Sequence, residues 1–304
     1  YTSFLAKFDF SGNLQWFKVI QKANVDIEAY SIAVAQDGSG QDVIYVGGDY
    51  YDGYDKYFVA KFDGDGNLYW FKCTTTPIYS PKVVTGNDGI YIAGNKHLAK
   101  LDTDGNVQWI KAMDAEELRD AAVAQDGSGQ DVIYVAGGWS APYLAKFDKN
   151  GDLKWFRRLE LNSWYCYITA TQDGVYMTGP FQISTYNVDV FVAKFDTGGN
   201  LQAFKLFGGP DNQFPHYIAT LQDSIVTVGD AGHAYGWTHF VAKLDLAFTG
   251  DLYWTGGENW HPVTVQDYQP NVSQLMPTVT SGALPLSDVE VTVTEEQVTV
   301  NQFV

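Results

Sequence analysis

Cysteine, arginine and long apolar runs are all scarce in this 304-residue chain. Two cysteines, Cys73 and Cys166, are too few for a disulfide framework and leave open at most one bridge between them. Arginine is limited to Arg119, Arg157 and Arg158, so no arginine cluster exists to grip anionic sugars. No apolar stretch approaches the roughly 18 residues of a membrane-spanning helix, which argues against membrane insertion. Positive charge is short as well: 36 Asp and Glu stand against 19 Lys and Arg, and a net charge of -17 repels phosphate backbones, so nucleic acid is an unsuitable partner. Gly-x-Ser-x-Gly, His-Glu-x-x-His, Cys-x-x-Cys and phosphate-loop motifs are all missing. The chain opens at Tyr1 without Met or a signal peptide, as a processed or trimmed secreted chain would, and an extracellular or cell-surface location is expected.

What the chain has instead is a repeat. Ala-Lys-(Phe/Leu)-Asp starts at Ala6, Ala60, Ala99, Ala145, Ala193 and Ala242, at spacings of 54, 39, 46, 48 and 49 residues. A period of this size built from strands points to a propeller or similar array. In Phe58-Val59-Ala60-Lys61-Phe62-Asp63 the residues alternate between two apolar-bearing faces, as in a strand packed on both sides. Asp63-Gly64-Asp65-Gly66-Asn67 then supplies a turn before Leu68-Tyr69-Trp70-Phe71-Lys72 resumes a strand, which makes a β-hairpin. Trp16, Trp70, Trp109 and Trp155 recur ten residues after the Ala, Trp254 twelve after it, and Ala203 breaks the series. A buried Trp removes roughly 150 to 250 Å² from water, so these five are expected as structural core.

Ahead of each such hairpin stands another, as in Ser31–Ala35 with Val43–Gly48, so one unit is a four-stranded blade. Residues 1–257 hold five complete units and an N-terminal half-unit. Residues 258–288, with Pro262, Pro270, Pro277 and Pro285, read as an extended Pro/Thr-rich connection, and 289–304 as a C-terminal β-hairpin that completes the half-unit in its own or a neighbouring subunit. The expected fold is an all-β propeller of six four-stranded blades, one closed by the N- and C-terminal hairpins. The Ile-Tyr-Val-x-Gly strand followed by Phe-Val-Ala-Lys-Phe-Asp-x-x-Gly-Asn-Leu-x-Trp resembles the repeat of the seven-bladed β-propeller repeat proteins, over residues 1–256. That resemblance implies a cell-surface or extracellular setting and no enzyme activity.

The Asp- and Gly-rich turns, including Asp37–Asp42 repeated letter for letter as Asp126–Asp131, read as turn chemistry with Ca²⁺ a minor alternative; no cofactor or metal is expected. His216, His233, His239 and His261 show no ligand spacing. The Lys at the second position of each repeat, and the Asp two places on, read as pairs between blades. The connections between hairpins vary and carry aromatics, which nominates Tyr51, Tyr54, Trp139, Tyr143, Tyr186, Tyr235 and Trp237 as ligand-binding residues on one face; the alternative is that they cap the blade ends. Asn271-Val272-Ser273 is the single glycosylation signal. The expected function is a non-enzymatic binding or structural module of a cell-surface assembly. Its partners would be protein subunits or carbohydrate, and a homo-oligomer could form through the C-terminal segment. The alternative is a polysaccharide-acting hydrolase or lyase on a propeller scaffold.

Overall fold

The computed structural model describes residues 1–74, 81–185, 187–208, 212–233, 236–246, 248, 253–255, 264–267, 272–273, 279–281, 286–288 and 292–295. The fold is all-β and of the propeller class, a series of antiparallel sheets in two compact units: Tyr1–Lys111 with Ser281–Val304, and Ala112–Thr280.

In the first unit, sheet I contains β1 (Ser3–Phe8) and β2 (Leu14–Gln21). Sheet II contains β3 (Asp26–Gln36), β4 (Asp42–Tyr51), β5 (Asp55–Asp63) and β6 (Leu68–Thr74). Sheet III contains β7 (Lys82–Thr85), β8 (Ile90–Gly94), β9 (His97–Leu101) and β10 (Val107–Met113). In the second unit, sheet IV is β11 (Leu118–Gln125), β12 (Asp131–Gly137), β13 (Tyr143–Asp148) and β14 (Leu153–Leu159). Sheet V is β15 (Tyr167–Thr171), β16 (Gly174–Ser184), β17 (Asn187–Asp196) and β18 (Leu201–Gly208). Sheet VI is β19 (Asn212–Leu221), β20 (Ser224–His233), β21 (Gly236–Asp245) and β22 (Tyr253–Thr255).

Residues 258–288, expected as a connection, contribute strands of their own. β23 (Thr264–Asp267) pairs with β18 and β24 (Val272–Ser273) with β14; β25 (Val279–Ser281) stands beside β10 in sheet III; β26 (Leu286–Asp288) pairs with β6. Each is a fifth strand on the last strand of a four-stranded sheet, whose edge would otherwise expose unpaired backbone. The C-terminal segment does meet the N-terminal hairpin, through β27 (Thr292–Glu295), with Lys18 opposite Glu295 and Gln21 opposite Thr292. It lies on β2, however, in line with the other tail strands, rather than beside β1 where a first hairpin would go.

Alternation along the third strand of each blade packs two neighbours at once. From β17, Phe191, Ala193 and Phe195 enter the cluster shared with Tyr134, Leu144 and Trp155 of sheet IV, while Val190 and Val192 enter the one shared with Ile218, Ile225 and Phe240 of sheet VI. β5 does the same: Phe58, Ala60 and Phe62 join Leu5 and Ile20 of sheet I, and Val59 joins Val83, Ile92 and Ala99 of sheet III. A strand buried on both faces needs apolar side chains at odd and even positions alike.

The seams between blades have a repeated polar clamp. In β13 and β14, Lys146 stands directly opposite Trp155, and a bulge follows between Lys146 and Phe147. Both side chains reach to the next sheet, where the Thr197 carbonyl accepts Lys146 Nζ at 3.0 Å and Trp155 Nε1 at 3.0 Å. Lys61 and Trp70 share the Thr103 carbonyl, and Lys7 and Trp16 share the Gly64 carbonyl. Lys194 faces Ala203, where the Trp series lapses, and donates alone to the Leu246 carbonyl. This corrects the expected pairing of Lys with Asp. The Asp carboxylates are occupied by their own turns: Asp63 Oδ1 accepts the Asp65 and Asn67 backbone N–H groups and Oδ2 accepts Asn67 Nδ2. The five Trp expected as structural core differ in burial. Trp155 is buried, but Trp16, Trp70 and Trp109 are half-buried. Trp254 is placed by its backbone in β22 alone.

Gly199 lies under the Trp155 ring with φ +80°, and an added Cβ would stand 2.9 Å from the indole. Gly199→Ala should therefore cost at least about 2 kcal/mol, combining left-handed backbone strain with the displaced ring. Trp155→Phe should cost about 1 to 3 kcal/mol, from the lost N–H bond and the smaller ring. Denaturant unfolding of the two variants checks both, with midpoints expected clearly below that of the parent chain.

Candidate functional site

In the second unit the tight turns lie at one end of each sheet and the variable connections at the other. The Asp196–Asn200 turn closes β17 onto β18, and Leu221 is paired with Ser224 at the close of β19 onto β20. At the opposite end run the β10–β11, β12–β13, β16–β17, β18–β19 and β20–β21 connections. Val188 N–H donates to Asn212 Oδ1 at 3.0 Å, which ties sheets V and VI together at that open end.

Two carboxylates of opposite character occur there. Asp189 lies on β17 two residues from the connection, opposite Phe181, with its carboxyl packed against Gly208. Its Oδ1 is buried without a hydrogen-bond partner, and burial pushes the group up to about 6. Asp230 lies on β20, opposite Phe214 and His239. Its Oδ2 is 2.8 Å from His216 Nε2 and its Oδ1 is 2.6 Å from His239 Nδ1. An ionised carboxylate only accepts, so each imidazole presents an N–H to it. These bonds, that from His216 foremost, hold Asp230 below the ordinary Asp range. Burial raises the nearby Tyr165 phenol, with the Asp230 charge adding to the shift.

Trp139 is fixed at the same end of sheet IV. Its backbone N–H donates to Glu116 Oε2 and its Nε1–H to Glu117 Oε2, at 2.5 and 3.1 Å. Arg158 holds Glu116 at 2.8 Å, and Arg119, at 3.2 Å from Glu117, lies with its guanidinium 4.5 Å from the indole centroid. The ring nevertheless remains 55% exposed. A large aromatic held rigid at its edge and open to solvent is suited to stacking on a sugar face or a partner side chain.

The other nominated residues divide. Tyr143 is corrected: it is buried, stacks on Phe156 and donates its hydroxyl to the Glu116 carbonyl, so it supports the Trp139 loop and meets no ligand. Tyr51 and Tyr54 are exposed at the β4–β5 turn of the first unit. Tyr186, Tyr235 and Asn271 lie outside the described residues, and Trp237 is placed by its backbone in β21 alone. Cys73 and Cys166 are free buried thiols, and burial pushes Cys73 up to about 12. Among the described residues no group of three or more His, Cys, Asp or Glu side chains is placed to hold a metal ion. In the Asp37 turn, Oδ1 accepts the Ser39 and Gln41 N–H groups and the Ser39 hydroxyl, all donors where a cation would need acceptors. The reading of sequence missed Asp189, Asp230 and the Glu116–Glu117 cradle; they lie within strands or in a connection without aromatics, and no spacing links Asp230 to both histidines.

No family model matches the chain, and no curated protein matches it, so the resemblance to the seven-bladed repeat family holds at the level of a propeller fold. Several solved structures are similar, three of them being the following. An endo-arabinanase of glycoside hydrolase family 43 from Bacillus licheniformis is 15% identical, over 78% of this chain and 95% of its own, with a TM-score of 0.34. A thermostable family-43 glycoside hydrolase is 13% identical over 78% and 96%, at 0.36. A glycosyl hydrolase from Bacteroides ovatus is 9% identical over 81% and 87%, at 0.31. These findings stand against the expectations of a non-enzymatic module and of no enzyme activity, since all three structures are of hydrolases. At these TM-scores the enzymatic reading has to rest on the chain's own residues.

The Asp189 carboxyl gives a signed dependence of stability on pH. Its folded-state affinity for a proton is raised, so the native state binds protons more tightly than the unfolded chain, and stability falls as pH rises from about 4 to about 6. Asp189→Asn should raise the melting temperature at pH 7 and leave it nearly unchanged at pH 4. Calorimetry at the two pH values checks this; an equal shift at both would assign the effect to packing.

Proposed function

We propose that the chain is a carbohydrate-active hydrolase that cleaves glycosidic bonds of a neutral polysaccharide at the open end of sheets V and VI. The observation that supports it is the pair of carboxyl groups at the same end of neighbouring sheets, whose surroundings drive their proton affinities apart: Asp189 up by burial, Asp230 down by two imidazoles. Glycosidases use such a division, one carboxyl kept protonated to give its proton to the leaving-group oxygen and one kept ionised as base or nucleophile. In this reading Asp189 is the acid and Asp230 the ionised partner, oriented by His216 and His239. Trp139 supplies a stacking surface for a sugar of the same polymer. The net charge of -17 favours a neutral polymer over an acidic one. An extracellular location belongs to the same proposal, because polymers too large to enter a cell are met outside it.

Release of new reducing ends from a panel of neutral polysaccharides tests this reading. Asp230→Asn should abolish release, and Asp189→Asn should lower it by about 10² to 10⁴. The parent's rate should fall on the alkaline side with an apparent pKa of about 6, and Asp189→Asn should lose that limb. Trp139→Ala should raise KM with kcat retained. Absence of release from every polymer, or an Asp230→Asn variant as active as its parent, would overturn the proposal.

A further inference from the structure

At the turn ends of sheets II and III, within the first unit, lies a cavity of about 520 Å³, a volume in the range of small-molecule sites. Asp37 and Gly38 of the β3–β4 turn, Tyr45, Lys61 and the Gly86–Gly89 turn between β7 and β8 are among its walls. Three polar groups there keep hydrogen-bonding capacity. Lys61 uses one of its three N–H groups on the Thr103 carbonyl. Asp37 receives its turn donors at Oδ1, and Oδ2 meets no donor among the described residues. The Tyr45 hydroxyl likewise has no partner among the described residues. The three converge: Lys61 Nζ is 5.8 Å from the Tyr45 ring, and the Ser39 hydroxyl foremost, with the Lys61 charge adding, holds Asp37 below the ordinary Asp range. Residues 33–46 recur letter for letter as 122–135 in sheet IV, where the Tyr134 hydroxyl is buried without a partner, so the hairpin alone does not make the opening.

A second, independent observation is a break in the repeat beside the same lysine. Lys61 faces Trp70 and Phe62 faces Leu68, which leaves Tyr69 as the extra residue of a bulge. In the other sheets the residue before the Trp position serves the turn. Gln15 donates to Asp9 at 3.5 Å, Gln108 to Asp102 at 3.1 Å and Gln202 to Asp196 at 2.9 Å, and Lys154 pairs with Asp148 at 2.7 Å. Tyr69 makes no such bond to Asp63 among the described residues. Its ring lies 5.4 Å from Lys61 Nζ and is 59% exposed. The turn role is given up in the one sheet whose lysine lines the cavity, and an open aromatic face stands in its place.

We propose that this cavity binds a neutral saccharide, its hydroxyls held by Lys61, Tyr45 and Asp37 and a neighbouring sugar ring stacked on Tyr69. The ligand class follows from the wall. A hydroxyl both donates and accepts, which matches an ammonium that donates, a carboxylate that accepts and a phenol that does either. Burial, with the Asp104 and Asp37 charges adding, pushes the Tyr45 phenol up to about 12, so it keeps its proton. An anion would meet the Asp37, Asp88 and Asp102 carboxylates. A metal ion would face Lys61 and would have to displace the N–H donors already on Asp37 and Asp102. The exposed Tyr69 ring suits the apolar face of a sugar. The cavity shares no residue with the Asp189–Asp230 pair, and saccharide binding there holds whether or not the chain is a hydrolase.

Amide hydrogen exchange of the full chain carrying Asp230→Asn, so that no sugar is consumed, tests the site with millimolar cellohexaose, xylohexaose or mannohexaose. At least one of the three should slow exchange across Asp37–Gly40 and Gly86–Ile90 at least threefold, and hexagalacturonic acid, of equal length but charged, should leave it unchanged. Tyr45→Phe, which removes one hydroxyl, should weaken binding at least threefold. Tyr69→Gln, which installs the residue of three other sheets, should weaken it at least tenfold with an unfolding midpoint at or above the parent's, so the loss is not one of folding. Reducing-end release by the parent reads the hydrolytic reaction and this exchange reads the cavity, so either can fail alone. The proposal is overturned if none of the neutral sugars protects the two turns, if hexagalacturonic acid protects them as well, or if the Tyr69→Gln variant binds as tightly as its parent.

Discussion

One carbonyl oxygen at each of three described seams, that of Gly64, Thr103 or Thr197, carries much of this architecture. A carbonyl has two lone pairs, and in the turn after Asp102 or Asp196 the Thr103 or Thr197 oxygen accepts from both the Lys and the Trp of the preceding sheet. That oxygen is available because the Asp carboxylate gathers the N–H groups of its own turn, leaving the following carbonyl turned outward. Lys61 also stands 5.8 Å from the Tyr45 ring and Lys146 5.7 Å from the Tyr134 ring of its own sheet. A lysine that bonds to a carbonyl and leans on an aromatic ring still acts on carboxylates nearby: Lys146 feels Asp126 and Asp196, and Lys61 helps to lower Asp37.

The clamp sits at the turn end of sheets I, II and IV, and this decides where variation is tolerated. With the turn end fixed by the Asp cap, the positive-φ glycine and the Lys–Trp pair, register is set from that end, and strands can run on for different lengths at the other. β16 and β17 extend to Ser184 and Asn187, well past the corresponding ends of β12 and β13 at Gly137 and Tyr143. The extra length in sheets V and VI is what carries Asp189 and Asp230 beyond the seam. Side chains on strands are positioned more rigidly than on loops, and a carboxyl kept buried without a partner, as at Asp189, needs such a frame to persist.

The repeat, the strand pairs and the turns were legible in the sequence because each is a local pattern: alternation over six residues, then Asp-x-x-Gly-Asn. The blade count followed from spacing alone. What the tryptophans and lysines bond to was not legible, since their acceptor lies 33 to 57 residues away on a backbone group that carries no residue identity. The Asp230 cradle is non-local in the same way, joining His216, Asp230 and His239 across three strands. The tail was misread for a different reason. Pro262, Pro270, Pro277 and Pro285 suggest irregular chain, yet each stands one or two residues before a strand, β23 to β26 in turn, and their spacing of seven or eight residues is itself a repeat. Proline is tolerated at the start of an edge strand, so a proline-rich segment can still be strand-forming when every strand it makes is an edge.

Those tail strands are two to four residues long, too short to hold by themselves. A few backbone hydrogen bonds contribute about 1 kcal/mol each, less than the entropy of ordering the residues that make them. Tethering changes the balance, because once β23 is laid on β18 the next strand samples its own edge at an effective concentration set by a connection of only a few residues. The same reasoning applies to sheet I, whose outer edge is met by a strand already held in place by its predecessor, so a marginal pairing suffices, as at β27 on β2.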